Sequence, residues 1–396
     1  MKGRVLKRGS TWSYTVDVGA DSQTRRKQVM KGGFTTKREA ERALRDVLYS
    51  LDRQRYVERH SLTLAEFIRH EWLPAMQGQL RDSTLAGYRH ELENNVLPRL
   101  GELPLQQLNA VHLNKLYGWL LASGRKNGKG GLAPRTVRYA HTILRKALAD
   151  GMRWGLIERN VADLADPPRH SPEPKVQTWT PSQLRRFLDQ VRGDRLYAAW
   201  LLSATTGMRR GEVLGIRWSD VDLDGGRLAV RQTLVMVEGR PRLSTPKTRR
   251  SRRTVDLDSH TIAALHLWHG KQGAERADWG SAWQGTELVF TREDGTPVNP
   301  DGWSGTFERH VRRAGLPVIR LHDLRHTHAT LLLSAGVNPK VTSERLGHHS
   351  TAFTLDVYSH VVPGMQQQAA ERVAGLVFES WDDGDGESGQ RPPSLS

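Results

Sequence analysis

Cysteine is absent from this 396-residue chain, which removes disulfides, thiolate zinc sites and cysteine nucleophiles at once. Long apolar runs are missing too: no window approaches the roughly 20 residues needed to cross a bilayer. The opening Met1-Lys-Gly-Arg-Val-Leu-Lys-Arg has no apolar core of a signal peptide. A soluble, cytoplasmic protein without a membrane partner is therefore expected. There is no Gly-x-x-x-x-Gly-Lys-Ser/Thr loop, so nothing argues for ATP, and neither Ser334 nor Ser350 sits in a Gly-x-Ser-x-Gly elbow.

Positive charge is in excess. The formal net charge is +16 and the isoelectric point is near 10.3, values that suit a polyanionic partner. Binding to DNA releases condensed cations and makes affinity steeply dependent on salt. The length implies two or three hydrophobic cores rather than one.

Six residues of the second half carry the chemistry. Arg209 lies in Thr206-Gly-Met-Arg209-Arg-Gly-Glu212, His322 and Arg325 in His322-Asp-Leu-Arg325-His326, His348 in Leu346-Gly-His348, and Tyr358 ten residues further on. Lys247 lies in the basic run Thr245-Pro-Lys247-Thr-Arg-Arg-Ser-Arg-Arg253. Attack on a phosphodiester concentrates negative charge on the non-bridging oxygens, which two guanidiniums can clamp through forked hydrogen bonds. Arg209 and Arg325 suit that task. His322 and His348 can add a donor or exchange a proton near neutral pH. A lysine can protonate a departing alkoxide, and a tyrosine among cations can attack phosphorus and split strand transfer into two covalent steps. Nothing in the set demands a metal or a cofactor.

The order and wording of these motifs resemble the tyrosine recombinases, or phage integrase family, closely from about Thr180 to His360 and by organisation elsewhere. The resemblance implies that Tyr358 forms a 3′-phosphotyrosyl link and releases a 5′-hydroxyl. It implies that Arg209, Arg325 and His348 stabilise the transition state, that Lys247 protonates the leaving oxygen, and that His322 assists Tyr358. Glu212 matches the family's acidic position and would orient the cage. Among the cations of the basic run, Lys247 is favoured by its place between expected strands at Val230 to Val237 and Arg253-Thr-Val-Asp-Leu257, with Glu238-Gly-Arg-Pro241 as a turn. Arg249 or Arg250 would then be phosphate binders on a solvated loop.

The expected fold is multidomain and mainly α with small β-sheets. Residues 1–57 read as a three-stranded sheet plus helix. Trp12, Tyr14, Val16 and Val18 alternate, Gly19-Ala-Asp-Ser22 turns, and Arg25 to Met30 returns as a strand. Thr36-Lys-Arg-Glu39 is a capping box for a helix with the stripe Ala40, Ala43, Leu44, Val47, Leu48 and Leu51. Residues 58–166 read as a helical bundle: one helix capped by Thr63-Leu-Ala-Glu66, others over Ser83 to Leu92 and Ala110 to Leu121, and a long one from Pro134. The prolines of Asp166 to Lys175 mark a linker, residues 167–178. Thr180-Pro181 then opens an α+β domain, residues 179–378, that ends in a helix near Gln366 to Phe378. The acidic, Gly-rich residues 379–396 read as a disordered tail. By resemblance, 1–57 is an arm-type DNA-binding domain, 58–166 the core-binding domain and 179–378 the catalytic domain.

Rival readings are weaker. His322 and His326 would share a helix face, but no third ligand has suitable spacing, and Asp323 stands where zincins carry Glu. A type IB-like topoisomerase shares the tyrosine chemistry, yet the front module favours recombination. A non-cutting DNA-binding regulator of the same fold would have tolerated loss of Tyr358 or either arginine, and all are present. The resemblance implies site-specific integration or excision of a bacterial mobile element by a homotetramer on double-stranded DNA with core and arm sites. A host DNA-bending protein and an excision directionality factor are the further partners it offers.

Overall fold

The computed structural model describes residues 3–20, 26–52, 56–169, 176–245, 252–347, 370–371 and 373–375. Lys247, His348, Tyr358, the acidic tail and most of the expected C-terminal helix lie outside them. The chain divides into two compact units, Met1–Glu173 and Pro174–Ser396, and it is mostly helical with small antiparallel sheets.

In the first unit, β1 (Gly3–Arg8), β2 (Thr11–Ala20) and β3 (Arg26–Phe34) form an antiparallel sheet in sequential order. Strand alternation places Tyr14 and Val16 on the face that packs against Leu44 and Leu51 of the Lys37–Asp52 helix. The opposite face presents Arg4, Thr15 and Met30 in one cross-strand row. The capping box forms as its letters imply: Thr36 N–H donates to Glu39 and Glu39 N–H to the Thr36 hydroxyl, both at 3.2 Å. The expected turn starts later than Gly19, because Gly19 and Ala20 still pair with Lys27 and Arg26.

A separate core, built on Phe67, Ile68, Trp72, Leu92, Leu116, Ile143 and Leu144, holds the helical bundle. The Thr63 capping box starts its first helix. The second helix continues past Leu92 to Leu100, beyond the span expected from its apolar pattern. Wide π turns at Phe67–Trp72 and Leu92–Val96 each end two residues before a proline, Pro74 and Pro98. A proline ring crowds the carbonyl one turn back and cannot donate to it; the widened turn moves that carbonyl aside and the helix goes on. The Ala110–Ser123 and Pro134–Arg153 helices follow as read. Near the end of the latter helix the buried Asp150 carboxylate accepts from the Trp72 indole at 2.9 Å.

The second unit is organised on an aromatic stack of Trp179, Phe187, Trp200, Trp303 and Phe307, with Trp200 and Trp303 rings 4.2 Å apart. Thr180 caps the Pro181–Gln190 helix in a box with Gln183. Two small sheets follow: β4 (Val221–Asp222), β5 (Arg227–Val230) and β8 (Arg253–Asp256) in one, β6 (Thr233–Val237) and β7 (Arg240–Ser244) in the other. The expected single strand Val230 to Val237 is thus split between sheets. Thr233 and Leu234 are drawn onto the Arg210–Leu214 helix, where a Cβ at Gly211 would meet the Leu234 oxygen at 2.5 Å. Gln232 secures the break by donating to the Gly215 carbonyl at 2.8 Å. The turn between β6 and β7 is only Glu238-Gly239, both with positive φ, the geometry of a tight two-residue hairpin loop. Arg240 and Pro241 belong to β7. Lys247 falls in sequence between the end of β7 and the start of β8. Among the described residues, no helix is long and apolar enough to cross a membrane. Of the C-terminal segment, residues 370–371 and 373–375 are helical.

Candidate active site

Arg209 stands at a junction between two helices. The Tyr197–Thr206 helix ends at Gly207 in the left-handed region, φ 63°, and a Cβ there would meet Leu346 Cδ2 at 2.7 Å and His328 Cδ2 at 2.8 Å. Only glycine fits both the backbone and the space. Two residues on, Arg209 is extended and precedes the Arg210–Leu214 helix. Its backbone N–H donates to Glu212 Oε2 at 3.0 Å and its Nη1 to Oε1 at 2.8 Å. Its other terminal nitrogen, Nη2, donates to the Gly347 carbonyl at 3.1 Å. The residue keeps 39% of its side-chain surface open, whereas Glu212 keeps 4%.

A second guanidinium, Arg253 at the start of β8, reaches the same carboxylate. Its Nη2 donates to Glu212 Oε2 at 2.9 Å and its Nη1 to Oε1 at 3.3 Å, while Nε donates to the Arg345 carbonyl at 2.6 Å. Burial pushes the Glu212 carboxyl up, but Arg253 and then Arg209 outweigh it and hold the group below the usual carboxylate range. Removing one partner of such a buried pair costs about 3–5 kcal/mol, because the other charge is left unpaired.

The third motif opens the Asp323–Ser334 helix. Asp323 accepts from the Arg320 backbone at 2.8 Å and from its side chain, and Trp179 N–H donates to Thr327 Oγ1 at 3.1 Å, tying this helix to the start of the unit. Arg325 is buried and its Nη1 donates to the Gly207 carbonyl at 3.0 Å. Two helix-ending glycines in left-handed conformation, Gly207 and Gly347, therefore each offer a carbonyl to one of the two site arginines. His322 precedes the helix with its side chain reaching solvent, yet surrounding protein mass, then His326, Arg325 and Arg209, push its pKa down to about 4. At neutral pH it is a neutral imidazole beside two arginines, able to accept a proton.

Arg209, Arg325, His322 and Glu212 are thus brought together, while Lys247, His348 and Tyr358 lie outside the described residues. Three contributors were not singled out from the sequence. Arg253 had been one cation among several in a basic run. Arg345 donates to the Thr205 and Asp256 carbonyls at 3.2 and 3.0 Å and to His328 Nε2 at 3.3 Å. The third, His328, is the buried acceptor of that last bond, and burial and then Arg345 press its pKa down to about 3. Its depressed value makes stability complete above about pH 6.5, the value for a free histidine, and progressively lost toward pH 3, since the unfolded chain takes up the proton first. The unfolding midpoint should fall as pH drops from 6.5 to 5.5, a range in which ordinary carboxylates stay almost wholly ionised. His328→Gln, which keeps an acceptor but does not titrate, should flatten that fall; an equally steep profile in the variant would contradict it.

Residues 177–364 match the phage integrase family, residues 4–51 an arm DNA-binding domain, and residues 63–120 the N-terminal SAM-like domain of phage integrases. Over 382 residues the chain is 26% identical to a XerC-like tyrosine recombinase of Caldanaerobacter subterraneus, covering 91% of this chain and 95% of that one. It is 27% identical over 331 residues to the integrase of Mycobacterium phage L5, 83% of each chain. Identity to the ICEBs1 integrase of Bacillus subtilis is 28% over 251 residues, 62% of this chain and 67% of that one. Among solved structures, the Tn1549 transposon integrase in complex with a circular intermediate DNA is similar in fold, with a TM-score of 0.62 at 22% identity over 79% of this chain and 100% of that chain. All six motif residues fall within the matched catalytic span, and the chain belongs to the tyrosine recombinase, or phage integrase, family.

Proposed function

We propose that this protein is the integrase of a bacterial mobile element, acting in the cytoplasm, which cuts and rejoins DNA at specific sites through a 3′-phosphotyrosyl intermediate. The observation that carries this reading is the convergence of Arg209 and Arg325 on His322, whose pKa both help to push down, with Glu212 holding Arg209 from behind. The Tyr358 hydroxyl gives its proton to His322 as its oxygen bonds to phosphorus. The P–O5′ bond breaks, and the 5′-oxygen takes a proton from Lys247. Arg209, Arg325 and His348 meet the charge that builds on the non-bridging oxygens. The phosphotyrosine keeps the bond energy, so religation by a 5′-hydroxyl reverses these steps without ATP or a metal.

The same reading assigns residues 1–57 to arm sites, 58–166 to one side of the core site, 167–178 to a linker and 179–378 to catalysis. Exchange between two duplexes requires four cuts, hence four copies on the DNA. The basic residues of the N-terminal sheet, Arg4 among them on its open face, support the arm assignment.

Nicked duplexes tiled from the DNA flanking the gene provide the test. Wild type should leave a protease-sensitive covalent adduct on one tile, and Tyr358→Phe should bind that tile without an adduct; a persisting adduct would remove Tyr358 from its role. On the same tile, Lys247→Ala should slow adduct formation yet largely spare a substrate with a 5′-bridging sulfur, which departs unprotonated; equal slowing on both substrates would assign the acid elsewhere. Deleting residues 1–57 should erase footprints over flanking repeats while core-site binding persists, and unchanged footprints there would refute the arm assignment.

A further inference from the structure

Arg253 is bound up within the protein, its side chain 7% exposed against 39% for Arg209. Arg209 is held at two nitrogens, Nη1 by Glu212 and Nη2 by the Gly347 carbonyl. Arg253 grips the first of those holders and the turn that carries the second. Its fork closes on the two Glu212 oxygens, and its Nε holds the Arg345 carbonyl, two residues before Gly347. A Cβ at Gly347 would come within 2.9 Å of Arg253 Nη1, so the turn lies directly on this guanidinium.

Charge gives a second, independent reason. One buried carboxylate between two guanidiniums leaves the trio with one net positive charge. Were Arg253 neutral, Glu212 would pair with Arg209 alone, and the cation meant for the phosphate would be compensated from behind. In a site of low effective dielectric that difference is large.

We propose that Arg253 is a positioning residue for strand cleavage: it fixes Glu212 and the Arg345–Gly347 turn so that Arg209 presents an oriented and uncompensated guanidinium to the scissile phosphate. The inference rests on the recombinase reading above. It differs from a merely structural role in one respect, for its effect runs through the negative charge of the phosphate.

The experiment compares single-turnover adduct formation by the full chain on the cleaved tile and on the same duplex carrying one methylphosphonate at the scissile position, which removes that negative charge. Arg253→Met should bind the tile with unchanged affinity but form the adduct about 100-fold more slowly, the scale expected when a catalytic group is misplaced by about 1 Å. Its deficit relative to wild type should shrink markedly on the methylphosphonate. Arg253→Lys retains the cation but not the fork, should fold if the methionine variant does not, and should fall between. Combining Arg253→Met with Glu212→Gln should cost less than the product of the two single losses, because both act on Arg209. Equal deficits on the two substrates, or an Arg253→Met rate equal to wild type, would overturn the proposal while leaving the recombinase reading intact. A wild type that yields no adduct on any tile would overturn that reading first.

Discussion

A buried carboxylate with two guanidiniums around it is the constraint on which the candidate site depends. Glu212 lies on a helix of only five residues, too short to persist by its own hydrogen bonds. It is held because Arg209 and Arg253 both need its charge and because β6 packs directly against that helix. The burial of Glu212 is costly by itself; its offset requires both partners, so two separated segments must arrive together. The consequence for chemistry is that Arg209 is oriented before any substrate binds.

Helix ends do the rest of the positioning. Gly207 and Gly347 close two helices in the left-handed conformation, and each exposes a carbonyl that a site arginine takes up. Side chains at either position would collide with a neighbouring helix or with Arg253. Close approach of backbones thereby replaces the longer polar side chains that would otherwise have to orient the arginines. His328 and Arg345 stiffen the same region, the histidine neutral and buried, the arginine satisfied mainly by backbone carbonyls. His322 differs from them: its side chain reaches solvent, while its surroundings push its pKa down to about 4.

The first unit follows a simpler logic. Its sheet and its bundle have separate apolar clusters, and the capping boxes at Thr36 and Thr63 set helix starts through local hydrogen bonds alone. These features were legible because each depends on neighbours within four residues. The π turns ahead of Pro74 and Pro98 were not: a proline in an apolar run normally reads as an end, and only packing on both sides of it makes continuation worthwhile.

The sequence by itself determined the motifs that carry the family resemblance, their order, the helix caps, the basic character and the freedom from thiol chemistry, since each is a property of residue type or of short spacing. The tertiary structure alone decided which cation in a run of arginines is buried against Glu212, where the strand from Val230 to Val237 breaks, and why Gly207 and Gly347 must be glycine. Those outcomes depend on groups from 17 to 138 residues apart in the chain meeting at a few ångströms. No local pattern encodes such a meeting, because the desolvation and the charge balance that select it exist only once the segments are packed.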